Sequence, residues 1–358
     1  MKYFNATVKV IMALGVVLLG LLAIDNPSMF IIAAGAAAFG LTIDRTGASA
    51  LMPEEVSREI IQDVPQGSAV LSLFTKLPNM SRAQQRMPVL SMFPSAYFVN
   101  GDTGKKRTTK MAWDNKFLSA EEIAVIVPIP ESVLDDADYD IWSEVRPRLV
   151  ESIGSTIDAA ILHGLNAPAS WPDALVPGAI AAGNIIALGT GADIYDDIMG
   201  EGGSIALVEQ DGFMVTGHIG ALTMKAKLRG LRDGATGFPI FVKDMQQGNM
   251  YQLDGSPIYF PLNGGLDPTE ALLISGNFKN AVFSIRQDIT YKLLTEATLY
   301  DTDNVTPLYR LAEQDMVALR VVIRLAWQVP NPINRIQPNE TLRYPFSILS
   351  PGTEESPS

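Results

Sequence analysis

An apolar residue at every fourth position between residues 141 and 161 constrains the fold of this chain more than any other feature. Side chains four apart lie on one face of an α-helix, so the spacing predicts a helix with one slowly drifting apolar stripe. Pro147 lies inside the pattern, where it begins or kinks the helix, and Gly164 supplies a stop signal. The stripe consists of Ile141, Val145, Leu149, Ile153, Ile157 and Ile161.

Upstream of this helix the sequence predicts a long β-hairpin. Residues 87–93 and 96–99 are short strand candidates, and residues 116–118 lead into the β-branched run 123–127. Between them, residues 100–110 contain Asn-Gly and Thr-Gly pairs with polar neighbours, which favour an exposed, reversing loop. We therefore expect a hairpin that leaves the body of the molecule.

The remaining sequence mixes short helices and strands. Helices are predicted at residues 53–61, 194–199 and 219–231, and turns at residues 232–234 and 254–257. Strands are predicted at residues 213–216, 272–275, 281–285 and 289–294. The period of residues 316–327 fits a strand or a helix, and their β-branched residues favour a strand. Interleaved helices and short strands without a fixed repeat favour an α+β chain over a doubly wound sheet.

Residues 10–43 differ from the rest because they carry a single charge, Asp25. They form two apolar runs, residues 10–24 and 29–43, each shorter than the ~20 residues that span a bilayer comfortably. Three interpretations compete: a membrane hairpin or signal-anchor, a removable leader or buried helical extension, and a fused or misassigned start. The sequence alone does not decide between them.

The residue types that catalysis or metal binding would need are scarce. The chain has no cysteine, which excludes disulfides and thiolate metal sites, and its two histidines are His163 and His218. Neither a Gly-x-Ser-x-Gly elbow nor a phosphate-binding P-loop motif is present. His163 ends the predicted helix and is interpreted as a polar C-terminal residue, and His218 has no second metal ligand nearby. We predict no catalytic residue, no metal, no cofactor and no enzyme.

Charge is distributed unevenly along the chain. The formal net charge of −12 argues against a protein whose main task is to grip nucleic acid, although such a chain can still enclose DNA. The candidate contact residues between copies are the loop cations Lys105, Lys106, Arg107 and Lys110 and the acids Asp135, Asp136, Asp138 and Asp140. We predict that the loop of one copy lies over the acidic zone of the next. Two ordinary solvated surfaces are the alternative, since acids at a helix start are favoured by the helix dipole anyway.

Several degenerate segments together carry a family resemblance through their order and spacing. They are residues 51–61, 68–71, 86–90, 120–136, 158–164, 231–234, 253–258 and 276–278, and the most characteristic is 120–136, from Ala120-Glu121-Glu122 to Asp135-Asp136. In this order the chain resembles the HK97-type major capsid protein family of tailed bacteriophages, over about residues 50–336.

The resemblance implies an HK97-like capsid fold with an N-terminal arm, an extended β-hairpin loop, a peripheral domain with a long spine helix, and an axial domain. The implied boundaries are an apolar N-terminal segment at 1–45, the arm and start of the peripheral domain at 46–86, the extended hairpin at 87–120, the peripheral domain with its spine helix at 121–166, the axial domain at 167–284, a return to the peripheral domain at 285–346, and a loose tail at 347–358.

The resemblance also implies a function. The chain is expected to self-assemble into the pentamers and hexamers of an icosahedral head around double-stranded DNA, with a portal and a scaffold or head protease as further partners. Its expected location is the virion, after assembly in the host cytoplasm. The alternatives are an encapsulin-like compartment shell and a membrane-anchored, non-enzymatic protein.

The resemblance is incomplete at two points. Some family members join a loop lysine to an asparagine, but Asn331 and Asn334 match no such motif here, and we expect no cross-link. Many members carry a mostly charged N-terminal scaffolding region, whereas residues 10–43 of this chain are apolar. A membrane association through this segment is one of the expectations.

Overall fold

The long helix forms as predicted in the computed structural model of the chain, from Ile141 to His163. Asp140 caps its N-terminus by accepting hydrogen bonds from the backbone N–H groups of Trp142 and Ser143. Gly164 ends it in the left-handed conformation, with φ at 76°, which is a common glycine helix stop. The helix continues through Pro147, so the proline does not set its start.

The structure describes residues 67–99, 104–137, 140–231, 251–301 and 305–352. The predicted helix at 53–61, the turn at 232–234, the apolar residues 10–43 and Asp138 lie outside these ranges. Within the described ranges, no helix combines the length and the apolar character needed to cross a bilayer.

Helices and strands alternate along the described chain. The helices are α1 (Ala69–Leu73), α2 (Glu131–Asp136), α3 (Ile141–His163), α4 (Leu175–Ala182), α5 (Ile194–Met199), α6 (Ser204–Gln210) and α7 (Leu222–Gly230). The strands are β1 (Thr75–Lys76), β2 (Gln84–Met92), β3 (Ala112–Ser119), β4 (Glu121–Pro130), β5 (Ile185–Ala187), β6 (Gly217–Gly220), β7 (Tyr251–Leu253), β8 (Ser256–Tyr259), β9 (Leu273–Gly276), β10 (Val282–Leu294), β11 (Thr298–Tyr300), β12 (Pro307–Arg310), β13 (Met316–Gln328) and β14 (Phe346–Ser350). This mixture confirms the α+β class.

The strands form two larger sheets and two separate ribbons. One sheet has four strands in the order β1-β10-β13-β4, and the other has six in the order β5-β14-β9-β6-β8-β7. Strands β2 and β3 form a two-stranded antiparallel ribbon, which confirms the predicted long hairpin, and β11 and β12 form a shorter one. The turn predicted at 254–257 joins β7 to β8 through Asp254 and Gly255, both with positive φ.

The apolar stripe of α3 is buried against the four-stranded sheet. Alternate residues of β13 point toward the helix, because successive side chains of a strand lie on opposite faces. The buried cluster contains Leu149, Ile153, Ile157 and Ile161 of the helix and Leu319, Val321, Ile323, Leu325 and Trp327 of the strand. Ile219, Ile274 and Ile348 of the six-stranded sheet belong to the same cluster, so one core is shared by helix and both sheets.

A buried carboxylate ties the start of the described chain to α3. Asp158 accepts hydrogen bonds from the Ser68 hydroxyl, the backbone N–H groups of Ala69 (2.9 Å) and Val70 (3.3 Å), and the Asn263 amide (2.7 Å). Burial raises the pKa of the Asp158 carboxyl above its usual range, although these hydrogen bonds oppose the shift. Helix α1 and the 263 loop are therefore held against the C-terminal part of the long helix.

Four predictions of local structure are wrong. Residues 96–99 form no strand, and the strand predicted at 213–216 lies four residues later as β6. The helix predicted from 219 begins at Leu222, because Ile219 and Gly220 belong to β6. The strands predicted at 281–285 and 289–294 are one strand, β10, with register shifts at its middle.

The prediction of a loose tail from residue 347 is also wrong for the first residues of that tail. Residues 347–350 belong to β14, which pairs with β5 on one side and β9 on the other. Phe346, Ile348 and Leu349 are fully buried there. The chain therefore returns to the six-stranded sheet after leaving the four-stranded one.

Candidate assembly surface

The hairpin of β2 and β3 projects as a ribbon whose base is firmly attached. The pairing runs from Gln84 opposite Ser119 to Met92 opposite Ala112. Leu118 packs with Met80 and Ala326 against one face of the four-stranded sheet. Segment 328–340 supplies the other contacts. Glu340 forms an ion pair with Lys116 (2.7 Å), and the Gln328 amide donates a hydrogen bond to the Phe117 carbonyl (3.1 Å). The Ile333 N–H donates to the Leu90 carbonyl (3.2 Å), and the Arg335 guanidinium lies 4.8 Å from the centre of the Phe93 ring.

Large apolar side chains on this ribbon and its loop face solvent. They are Met92, Tyr97, Phe98, Val99, Met111, Trp113 and Phe117. Phe98 is fully exposed and Trp113 is 61% exposed, which is unusual for side chains that gain free energy by leaving water. Seven exposed apolar side chains on one ribbon and its loop are suited to a contact with another protein surface.

The predicted loop cations lie beside these apolar side chains. Lys105, Lys106, Arg107 and Lys110 are all exposed, and the Tyr97 hydroxyl donates a hydrogen bond to the Arg107 carbonyl (2.9 Å). That bond joins the two sides of the loop. The loop therefore presents positive charge and apolar rings together.

The predicted acidic zone has two distinct parts. Asp135 and Asp136 are exposed in the last turn of the short helix α2, so the dipole of the long helix does not explain them. Asp140 is exposed and caps α3 through its side chain, which gives it a role within its own chain. Asp138 lies outside the described residues.

Within the part of the chain that the structure describes, no ion pair joins a loop cation to these acids. Both surfaces are therefore available to a neighbouring molecule. The sequence located the charges of this surface but not its exposed rings. Alternation along β3 gives no signal for them, because Trp113 and Phe117 share a face with Asn115 whereas the buried Leu118 lies on the other face.

The two histidines hold parts of the fold together. The His163 ring donates from Nδ1 to the Glu270 carboxylate (2.7 Å) and accepts at Nε2 from the Asp267 backbone N–H (2.9 Å). His218 accepts at Nδ1 from the Ser275 hydroxyl (2.9 Å) and donates from Nε2 to the Leu253 carbonyl (3.3 Å). Burial lowers the pKa of His218 to about 4. Among the described residues, no three acidic or histidine side chains gather to hold a metal ion.

Comparison with protein families gives one match over most of the chain. The model of the phage capsid family matches residues 48–337. No curated protein matches the chain.

Solved structures of phage proteins share the fold. One from Microbacterium phage Oxtober96 is 39% identical, covers 87% of this chain and 100% of its own, and has a TM-score of 0.75. One from Mycobacterium phage Cain is 32% identical, covers 87% of this chain and 99% of its own, and has a TM-score of 0.74. The structure described as "Capsid of native GTA particle computed with C5 symmetry" is 14% identical, covers 88% of this chain and 100% of its own, and with a TM-score of 0.61 shows likeness of fold alone.

Proposed function

The chain belongs to the phage capsid family, and from this premise we propose that its copies join into the pentamers and hexamers of an icosahedral head. It is a structural shell subunit of the virion with an HK97-like fold, and it is not an enzyme. The observation that carries the finer proposal is the hairpin of β2 and β3, whose exposed rings and cations are suited to a neighbouring subunit.

The proposed contents of the head are double-stranded DNA, enclosed without sequence-specific binding. The net charge of −12 supports this, because an acidic wall does not hold phosphates tightly. A portal and a scaffold or head protease complete the proposed partners, and the host cytoplasm is the proposed place of assembly. The three interpretations of residues 10–43 stay predictions. If these residues form a membrane anchor, the full chain should fractionate with membranes.

The proposed contact places the basic loop of one copy over the acidic zone of the next. The loop cations and Asp135 and Asp136 are exposed and of opposite sign. Charges at the rim of an interface fix register and orientation more than they add affinity. The exposed rings beside them, Phe98 and Trp113 among them, would supply the buried apolar part.

The test is assembly of the full chain, followed by negative-stain microscopy. Wild-type protein should form rings or shells. A variant with Lys105→Glu, Lys106→Glu and Lys110→Glu should stay folded by circular dichroism but assemble poorly, because it opposes like charges. The matched control replaces the same three lysines by arginine and should assemble normally.

Two outcomes would count against the proposal in different ways. If wild-type protein stays monomeric at all concentrations, the shell proposal fails. If shells form and the Glu variant assembles as readily as the Arg control, only the loop contact is wrong. The comparisons favour neither the encapsulin-like nor the membrane-anchored alternative.

A further inference from the structure

One face of the four-stranded sheet carries a group of basic side chains that the described chain neutralises only in part, through an ion pair between Arg324 and Glu122. On β13, Leu319, Val321, Ile323 and Leu325 face the core, so Arg320 and Arg324 lie on the opposite face. Lys292 pairs with Arg320 in register on β10, and Arg286 lies at the register shift of the same strand. We call Arg286, Lys292, Arg320 and Arg324 the arginine patch.

Three guanidinium groups of the patch have buried N–H groups that lack acceptors. Arg286 Nη1, Arg320 Nε and Arg324 Nε are buried and have no hydrogen-bond partner among the described residues. The nearest carboxylate, Glu122, lies 3.7 Å from Arg324 Nε, which is beyond hydrogen-bond distance. Buried donors are nearly always paired in folded proteins, and leaving one unpaired costs free energy. Three such donors on one face make this face a favourable place for acceptors supplied by another molecule.

The strand register adds an independent observation. Lys292 and Arg320 are directly opposite each other on antiparallel strands. Like charges in this position repel and destabilise a sheet. Glu122, opposite Arg324 on β4, supplies one negative charge against four positive ones. In a chain with a net charge of −12, such a local basic excess is suited to binding an anion.

We propose that the arginine patch is an interface that binds carboxylates of a second copy of this chain in the assembled shell. This rests on the proposed function. The three arginine side chains are half-buried, and a guanidinium that turns toward a neighbour can bind its carboxylate through two parallel hydrogen bonds. Each copy has 39 acidic against 27 basic side chains, so a neighbour offers carboxylates in excess.

The composition of the patch also determines the kind of contact. A patch with four cations and one acid cannot pair with its own copy across a two-fold axis. It must meet a different, acidic surface of the neighbour, which makes the contact heterologous. Heterologous contacts close into rings, as pentamers and hexamers require.

The first test separates an interface from a structural role. In the full chain, Arg320→Gln with Arg324→Gln removes two cations and keeps polar side chains. The melting temperature of the unassembled subunit should stay the same or rise, because the repulsion with Lys292 is relieved. The protein concentration needed for assembly should rise about tenfold or more. The matched control, Lys76→Gln, removes an exposed cation from the edge strand of the same sheet and should change neither value.

An interface role and a structural role predict opposite changes in the melting temperature of the unassembled double variant, so either result is decisive. A lowered melting temperature of the unassembled double variant would mean that the arginines stabilise their own chain, and the inference would fail. Assembly at the wild-type concentration would also overturn it. If the wild type itself forms no shells, the proposed function fails first and separately.

The second test identifies the acid. Shells assembled from a mixture of isotope-labelled and unlabelled full chains are treated with a carbodiimide, which joins a lysine amine to a carboxylate in contact with it. Lys292 should be joined to an Asp or Glu of a differently labelled copy. Mass spectra without a link between copies at Lys292 would contradict the inference. The inference would also be contradicted if shells of the double variant formed normally but retained less nucleic acid. That result would mean that the patch binds phosphates.

Discussion

At the scale of single residues, the buried polar side chains of this subunit fix one segment to another. Asp158 joins α1 and the 263 loop to the long helix, and His218 lies between β9 and the end of β7. Each is buried and hydrogen-bonded, so its protonation state is coupled to folding. The sequence indicates only that His218 has no second metal ligand nearby. Its partners, Ser275 and Leu253, are distant in sequence, so local pattern could not identify them.

His218 gives a prediction about acid stability. Burial lowers its pKa from 6.5 in the unfolded chain to about 4 in the folded one, so between these values the unfolded state binds more protons. The His218 contribution is present above pH 6.5 and is lost as the pH falls toward 4. The loss should be about 3 kcal/mol of unfolding free energy.

The measurement is urea unfolding of the unassembled subunit at several pH values between 7 and 4. His218→Gln, which has no titrating group at that position, should show a shallower decline than wild type over that range. His163→Gln removes the other histidine and serves as the control for histidine loss in general. Parallel curves for wild type and His218→Gln would show that His218 does not titrate in this range.

At the scale of elements, the sequence predicts those whose pattern is long and local. The stripe from Ile141 to Ile161 predicts α3, and the polar loop between apolar runs predicts the β2–β3 hairpin. Both follow from side-chain periodicity and turn residues alone.

Elements that depend on distant partners are mispredicted. Strand β6 is Gly217-His218-Ile219-Gly220, which has poor strand propensity, while the β-branched residues just before it form no strand. Pairing with β8 and β9 decides the outcome, and the Phe278 and Phe260 rings approach Gly217 and Gly220 closely. Likewise β14 is extended because it fills a place between β5 and β9, far away in sequence.

The long helix allows a test by matched positions. Ile153 is 3% exposed within the shared core, whereas its neighbour Ser152 is exposed. Ile153→Asp buries a carboxylate without a partner and removes apolar contacts, and should lower the unfolding free energy by at least ~3 kcal/mol. Ser152→Asp adds the same charge one residue away and should change it by less than ~0.5 kcal/mol. Chemical denaturation of the two unassembled variants measures the difference. Equal denaturation midpoints would show that Ile153 does not lie in the core.

At the scale of the whole molecule, the described part of the subunit has its own buried core but leaves apolar and basic side chains on its surface. The core is shared by α3 and both sheets, while the rings on the hairpin are exposed and three guanidiniums on the sheet face each have a buried N–H group without a hydrogen-bond partner among the described residues. Such features cost free energy in an isolated chain and are expected where the functional state is an assembly. The hairpin itself was predictable, but the exposure of its rings was not, because it depends on which distant segments of the described chain pack against the ribbon.

The exposed rings provide a prediction that separates folding from assembly. Phe98→Ser with Trp113→Ser removes two exposed aromatic side chains, so the melting temperature of the unassembled subunit should change little. In the shell these rings should be buried against a neighbour, and aromatic residues at interface centres often contribute about 2 kcal/mol or more each. The urea concentration that disassembles shells, followed by light scattering, should therefore fall markedly. Met214→Ser is the matched control, because Met214 is 80% exposed on a loop outside the hairpin and should leave both values unchanged. Shells of the double variant that resist urea as well as those of the control would show that the rings stay in solvent after assembly.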